Sequence, residues 1–210
     1  MKITKHGIKF NVNAYEGSLI GYWIRALLIL YLNIKVDNYF RKVKNGTYEE
    51  PTFLIMNKYL DKKHSIIDIG AWRGTMTLYA CQLARHCYAV EPDPISFNAL
   101  KSNIELNSEI QDKITVCNAA IFSHTGLVNL SARFAFDQSI TSTIKRYDSY
   151  NIKIPSFTLP DFVKKYKIDD CNFIKIDTEG AEVAILPKAF EFLKNKKPVI
   201  YNRKIMYAEN

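Results

Sequence analysis

The sequence predicts an α/β fold built on a mostly parallel sheet, and three observations carry that prediction. Ile66-Ile67-Asp68-Ile69 is a short apolar strand followed at once by the turn Gly70-Ala71-Trp72-Arg73-Gly74 and a helical stretch. Tyr88-Ala89-Val90-Glu91 repeats the pattern of an apolar strand ending on an acid. Short apolar runs then alternate with helical periodicity along the chain, as βα units require.

Residues 1–47 differ in character from the rest and are expected to form a helical N-terminal extension to one main domain, 48–210. Within it, Leu19, Trp23, Ala26, Leu27, Leu30 and Ile34 recur at helical spacing, and Arg25 interrupts the apolar run. The run is shorter than the roughly 20 residues that a membrane-spanning helix needs. Three arrangements are open: a helix docked on the domain, a helix lying on a membrane surface beside the basic flank Lys35 to Lys44, and a true span. The docked helix is the expectation.

Asn45-Gly46 marks a break before the main domain. Thr52 to Leu60 reads as an entry helix, and Ile66 to Ile69 as the first strand of the sheet. Thr75 to Ala84 reads as a helix with Met76, Tyr79, Ala80 and Leu83 inward, and Cys87 to Val90 as the second strand. Pro94 opens a helix running to Asn107, since proline suits a first helical turn. Its inner face is Phe97, Leu100 and Ile104, and Ile114 to Cys117 is the third strand. Residues 121–157 read as irregular, with an extra hairpin around Gly126 and Leu127 to Leu130. Leu159-Pro160-Asp161 starts a short helix, and Phe173 to Ile176 is the fourth strand. Glu182 to Lys194 is helical, with a break or kink at Pro187. Pro198 to Tyr201 is the fifth strand.

The net charge of +8 sits in short runs such as Arg41-Lys42-Val43-Lys44 and Lys194 to Lys197. No run is interleaved with aromatics in the manner of a nucleic-acid surface, so charge alone gives no firm nucleic-acid signal. Cys81, Cys87, Cys117 and Cys171 lack C-x-x-C spacing, so no metal site is expected and the thiols are expected to be reduced. The first eighteen residues lack the apolar run of a secretory signal. A cytoplasmic location, with peripheral membrane contact through 19–34, is the expectation.

The first two strands frame a nucleoside site. An acid at the end of the second strand, here Glu91, can accept both hydroxyls of a ribose. The frame Asp68-x-Gly70-x-x-x-Gly74 places Trp72 where a dinucleotide site carries its middle glycine, which argues against a pyrophosphate and against a nicotinamide dehydrogenase. The carboxylate of Asp68 would also repel phosphate and suits a cationic amino acid end. S-adenosylmethionine has that composition and no phosphate.

Five stretches resemble the FkbM family of S-adenosylmethionine-dependent methyltransferases: Asp68 to Gly74, Tyr88 to Pro94, Leu100 to Asn103 with Asn107, Asn118 to Ile121 followed by Gly126, and Phe173-Ile-Lys-Ile-Asp-Thr-Glu-Gly-Ala-Glu182. The resemblance spans about residues 48–200. It implies a Rossmann-like class I methyltransferase core and O-methylation of a hydroxyl, often on a sugar or glycan. Cofactor contacts are then expected from Asp68, Gly70, Ala71, Gly74, Glu91, Pro92, Asn118 and Ala119.

The acceptor end is read from the fourth strand. Asp177, at its C-terminal end, is the first candidate for general base or acceptor hydrogen bonding, with capping of the following turn as the alternative. Glu179 and Glu182 could assist or shape a metal site, or could be ordinary helix-start acids. Lys175 needs a carboxylate partner if buried; it could keep Asp177 ionised or be paired structurally. His124 is the one histidine near a plausible substrate loop, and a turn histidine is more often incidental. Asp177-Thr178-Glu179-Gly180 lacks the Asn/Asp-Pro-Pro-Tyr run of amino-group methyltransferases acting on bases, which favours a hydroxyl acceptor.

The resemblance also implies a closing C-terminal hairpin and a glutamate after the fifth strand, where this chain has Asn202 and Arg203 and ends at Asn210. The sheet is therefore expected to lack the hairpin and to present its fifth strand as an edge open to homo-oligomer pairing. A non-catalytic remnant that binds cofactor or a partner is the main rival to an enzyme. A nucleic-acid methyltransferase, supported only by net charge, is the next.

Overall fold

The computed structural model describes residues 1–13, 39–132, 143 and 150–202. The apolar run Leu19 to Ile34 lies outside the described residues, as does Arg203. Among the described residues no helix is long and apolar enough to cross a membrane.

The chain opens with an antiparallel hairpin, β1 (Lys2–Lys5) and β2 (Ile8–Asn11), rather than with a helix. This corrects the expectation of a wholly helical extension over 1–47. The turn is His6-Gly7, with both residues in the left-handed region (φ 45° and 81°). Strand alternation turns Ile3 and Phe10 inward, and together with Val12 they join the main core. Two short helices follow, α1 (Tyr39–Lys44) and α2 (Glu50–Tyr59).

The central sheet has five parallel strands: β3 (Ser65–Ile69), β4 (His86–Val90), β5 (Ile114–Cys117), β9 (Cys171–Ile176) and β10 (Val199–Asn202). Their order is β10-β9-β3-β4-β5. The chain moves outward from β3 on one side and then returns to its other side, so the strand order reverses between β3 and β9. Open α/β sheets bind ligands at the carboxyl ends of the strands flanking such a reversal. Helices α3 (Thr75–Ala80) and α4 (Pro94–Glu105) link the first strands. Helices α5 (Leu159–Tyr166) and α6 (Glu182–Lys196) flank β9. Asp93 caps α4 by accepting from the amides of Ile95 (2.8 Å) and Ser96 (3.3 Å). Pro187 lies inside α6, which is one continuous helix, so the expected break is not a helix end. Helix α3 stops four residues earlier than its periodicity suggests, and residues 81–83 continue as turns.

Residues 121–157, expected to be irregular apart from a hairpin around Gly126 and Leu127 to Leu130, contribute to a second sheet in which β7 starts at Gly126. β6 (Ala120–Ile121), β7 (Gly126–Ala132) and β8 (Tyr150–Phe157) pair in the order β6-β8-β7. Pro155 weakens the strand signal of β8, yet the residue sits opposite Leu127 in an antiparallel ladder. Leu130 and Ile154 are buried beneath that ladder.

Alternating side chains of the central strands feed two cores. On one face Ile66, Cys87, Ala89 and Phe173 pack with Phe53, Met56, Leu78, Tyr79 and the hairpin. On the other, Ile67, Ile69, Val90, Ile174 and Ile176 pack with Phe162 of α5 and Ile185 of α6.

Two asparagines, Asn103 in the last turn of α4 and Asn107 just beyond its end, tie the N-terminal segment to this frame. Asn107 is fully buried; it accepts from the amide of Asn11 (2.7 Å) and donates to the carbonyls of Asn11 (2.8 Å) and Asn103 (2.7 Å). Asn103 accepts from the amide of Asn13 (2.6 Å) and donates to the carbonyl of Arg73 (2.8 Å), inside the glycine turn. Truncating Asn107 strands backbone groups of Asn11 away from water. Asn107→Ala is expected to cost about 2–3 kcal/mol in urea denaturation, and a loss near zero would show that the hairpin is not held through this side chain.

Candidate active site

A cleft of ≈ 240 Å³ opens at the C-terminal ends of β3, β4 and β9. Strand β3 delivers Ile69, Gly70, Ala71 and Trp72 to it, β4 delivers Val90, Glu91 and Pro92, and β9 delivers Lys175, Asp177, Thr178 and Glu179. Ala119, Ala120 and Ile121, beyond β5, supply an apolar wall. Tyr39, Lys42, Tyr48 and Glu49 enter from α1 and the segment after it.

Gly70 sits where nothing larger fits. It has φ 79°, and a Cβ there would lie 2.0 Å from the carbonyl oxygen of Asp177. The main chains of the two strand ends therefore touch across the reversal point. Gly74 (φ 84°) does not line the cleft; a Cβ there would lie 2.4 Å from Cδ1 of Leu100, so this glycine lets α3 pack close to α4.

Glu91 is 4 % exposed and lines the cleft. Its Oε2 accepts from the amide of Trp72 (2.7 Å) and its Oε1 from the amide of Asp93 (2.9 Å). Burial raises its pKa from 4.5 to about 8, although both amides act the other way. A carboxylate so desolvated suits a ligand that brings O–H donors, as a ribose diol does. The indole Nε1 of Trp72 and the hydroxyl of Thr178, which line the same cleft, are buried without a hydrogen-bond partner. These orphaned polar atoms, the apolar strip at Ala119 to Ile121 and the buried acid together fit a nucleoside cofactor such as S-adenosylmethionine.

Asp68 differs from its expected role. Alternation along β3 points it beneath α3, away from the cleft, and it is fully buried. Its Oδ2 accepts from Thr77 (2.7 Å), and its Oδ1 from Nζ of Lys175 (2.9 Å), its register partner on β9. Lys175 also donates to the carbonyl of Gly70 (3.1 Å). Burial alone would lower the Lys175 pKa, but the carboxylates of Asp68 and then Asp177 outweigh it and raise it. The structural pairing of Lys175 is thus with Asp68, and Asp68 acts on the cleft only through Lys175.

Other expected residues divide in the same way. Gly70, Ala71, Glu91, Pro92, Ala119, Lys175, Asp177 and Glu179 line the cleft. Asn118 does not; its amide braces the Glu91 loop by donating to the carbonyls of Glu91 (2.8 Å) and Pro92 (3.2 Å). Glu182 is turned into the helix start, where its Oε1 accepts from the amide of Thr178 (3.2 Å). His124 is bound to the carbonyl of Leu127 (3.1 Å) in an exposed turn and takes no part in the cleft. Sequence reasoning missed Tyr39, Lys42, Tyr48 and Glu49, which lie some twenty to thirty residues before the glycine turn and carry no local motif.

The Methyltransferase FkbM domain model matches residues 68–209. That is more than half of the chain, so the protein belongs to the FkbM family of S-adenosylmethionine-dependent methyltransferases. Residues 39–49, which wall one side of the cleft, precede the matched span. A curated relative, the ribosomal protein L11 methyltransferase of Geobacillus thermodenitrificans (strain NG80-2), is 27% identical over 84 residues, covering 38% of this chain and 27% of that protein. The chain thus spans about a quarter of that relative's length. Among solved structures, the methyltransferase FkbM from Methylobacillus flagellatus KT aligns over 89% of this chain and 49% of its own, at 18% identity and TM-score 0.49. The precorrin 8w decarboxylase of Methanobacterium thermoautotrophicum aligns over 76% and 66%, at 16% identity and TM-score 0.45.

Two expectations follow from the buried charges. Lys175→Met leaves Asp68 buried without its cation and should cost about 3–5 kcal/mol in urea denaturation; adding Asp68→Asn should cost less than the two single losses summed. Additive losses would show that the pair is not coupled. Glu91 keeps its proton more strongly in the folded state, so its contribution is fully present below pH 4.5 and is lost as pH rises through about 8. The ligand-free protein should therefore lose stability across that window, and Glu91→Gln should flatten the loss.

Proposed function

From membership of the FkbM family we propose that this chain transfers a methyl group from S-adenosylmethionine to a hydroxyl of a sugar or glycan. One observation carries the reading: Glu91 and Asp177, from opposite sides of the strand reversal, line the same cleft. The first suits a ribose and the second stands where a reacting group belongs. The sugar acceptor itself rests on the family resemblance.

The bound cofactor supplies a methyl group already activated on a sulfonium. Glu91 would hold the ribose hydroxyls, and Ala119 to Ile121 would border the adenine. The main chain at Gly70 and Ala71 would face the amino acid end of the cofactor, in a turn whose close fit against the Asp177 carbonyl excludes a side chain at Gly70. Asp177 would accept the proton of the acceptor hydroxyl as the new O–C bond forms and the sulfonium S–C bond breaks, with S-adenosylhomocysteine leaving. Lys175 holds Gly70 and β9 in register, so donor and acceptor sites keep a fixed spacing. That spacing is the main catalytic contribution, because methyl transfer is an in-line displacement that depends on approach geometry.

Isothermal titration with S-adenosylhomocysteine and with NAD tests the cofactor: the first should bind and the second should not. Asp177→Asn should keep S-adenosylhomocysteine affinity while turnover falls by about 100-fold or more. Adenosine tests Glu91 separately, because it carries the diol and no group that titrates near neutrality. Diol hydroxyls favour the ionised carboxylate, so adenosine affinity should rise with pH up to about 8. Glu91→Gln should weaken binding and remove the slope; a flat profile in the unsubstituted protein would sink the Glu91–ribose contact.

A further inference from the structure

The cleft has a second half that the cofactor contacts do not use. It is built by Tyr39, Tyr48 and Glu49 on one side and by Asp177, Thr178 and Glu179 on the other, with Lys42 at the rim. Resting on the methyl-transfer reading, we propose that Tyr48 and Glu49 form the acceptor subsite, and that it takes a hydroxyl-rich ring, neutral or amino-substituted, that carries no phosphate or other anionic group.

The aromatic side is a fixed surface. Tyr39 meets Tyr48 edge-on at 5.2 Å and Trp72 edge-on at 4.6 Å, and Phe40 backs it at 5.1 Å. Such packing holds a ring wall against which the apolar face of a cyclic polyol can lie. Burial chiefly, with Glu49 and Asp177 adding, raises the pKa of the Tyr39 hydroxyl. The two acids therefore act on the same phenol from opposite walls, and the phenol stays neutral.

Glu49 is held in place by more than its own helix. Its Oε2 accepts from the hydroxyl of Thr52 (2.7 Å), a residue 1 % exposed whose oxygen also meets the hydroxyl of Tyr201 at 2.8 Å. Its backbone is left-handed (φ 63°), as are those of Trp72 (50°) and Glu179 (49°), which line the same cleft. Non-glycine residues adopt this region at a cost, and such residues concentrate at ligand sites.

Charge then decides the class of acceptor. The lining of this half carries three carboxylates, Glu49, Asp177 and Glu179, against two ammonium groups, Lys42 and Lys175. Lys175 is already committed to Asp68. The acceptor half is therefore acidic within a chain of net charge +8. Carboxylates accept hydrogen bonds and donate none, so they select O–H and N–H donors and repel phosphate.

The test uses the full chain saturated with S-adenosylhomocysteine and three probes: methyl glucopyranoside, glucosamine and glucose 6-phosphate. Saturation-transfer NMR and titration should show binding of the first two, with glucose 6-phosphate at least about tenfold weaker. Glu49→Gln should weaken the first two by about tenfold and narrow the gap to the phosphate. Tyr48→Ala should weaken both sugars while S-adenosylhomocysteine affinity stays within about twofold, a separation that general unfolding would not produce. Preferred binding of glucose 6-phosphate, binding of none of the three, or indifference to Glu49→Gln would each overturn the subsite. Failure to bind S-adenosylhomocysteine at all would instead remove the methyl-transfer reading on which it rests.

Discussion

Lys175 and Asp68 face each other across β9 and β3 at 2.9 Å, both almost wholly out of water, and the shape of the cleft depends on them. The pair is not a surface ornament. Asp68 is anchored to α3 through Thr77, and Lys175 reaches the carbonyl of Gly70. One ammonium group thus fixes the two strand ends and, through its partner, the helix that follows the glycine turn. A buried ion pair brings little net stability over an apolar pair, but either partner alone is costly. Its value here is registry: β3 and β9 cannot slip without leaving a buried charge unpaired.

Once the strand ends are locked, the backbone between them has little room. Gly70 abuts the main chain of Asp177, and left-handed residues follow at Trp72 and Gly74. This places the amide of Trp72 on one oxygen of Glu91 and the amide of Asp93 on the other. Burial then drives the Glu91 pKa to about 8, which marks a group prepared for a hydrogen-bonding ligand. Asn118 extends the same arrangement by fixing the loop that carries Glu91.

The N-terminal segment belongs to this machinery as much as the family-matched region does. Its hairpin fills the core beside α3, and Asn103 and Asn107 stitch it to α4. Asn103 also reaches Arg73 in the glycine turn, so the hairpin and the cofactor end share a hydrogen-bond chain. Tyr39, Tyr48 and Glu49 then close the opposite side of the cleft.

The order of βα units, the parallel sheet and the placement of Gly70, Glu91 and Asp177 at strand ends were all legible in the residues themselves. Each rests on local patterning: apolar runs of period two, glycine at a turn, an acid after a strand. What could not be read locally was where side chains point once strands pair. Asp68 and Lys175 lie 107 positions apart and meet only because β9 aligns beside β3. That alignment turns Asp68 from a presumed ligand contact into a buried partner. The hairpin at residues 2–11 was hidden by its short strands, and the partner strand of β7 by Pro155 and by its distance along the chain. The wall of Tyr39, Tyr48 and Glu49 carries no motif at all. Sequence alone therefore determined the fold class and the strand-end positions of Gly70, Glu91 and Asp177, which depend on local patterning. Only tertiary structure decided the buried pair and the acceptor wall, because both arise from long-range packing that no local pattern encodes.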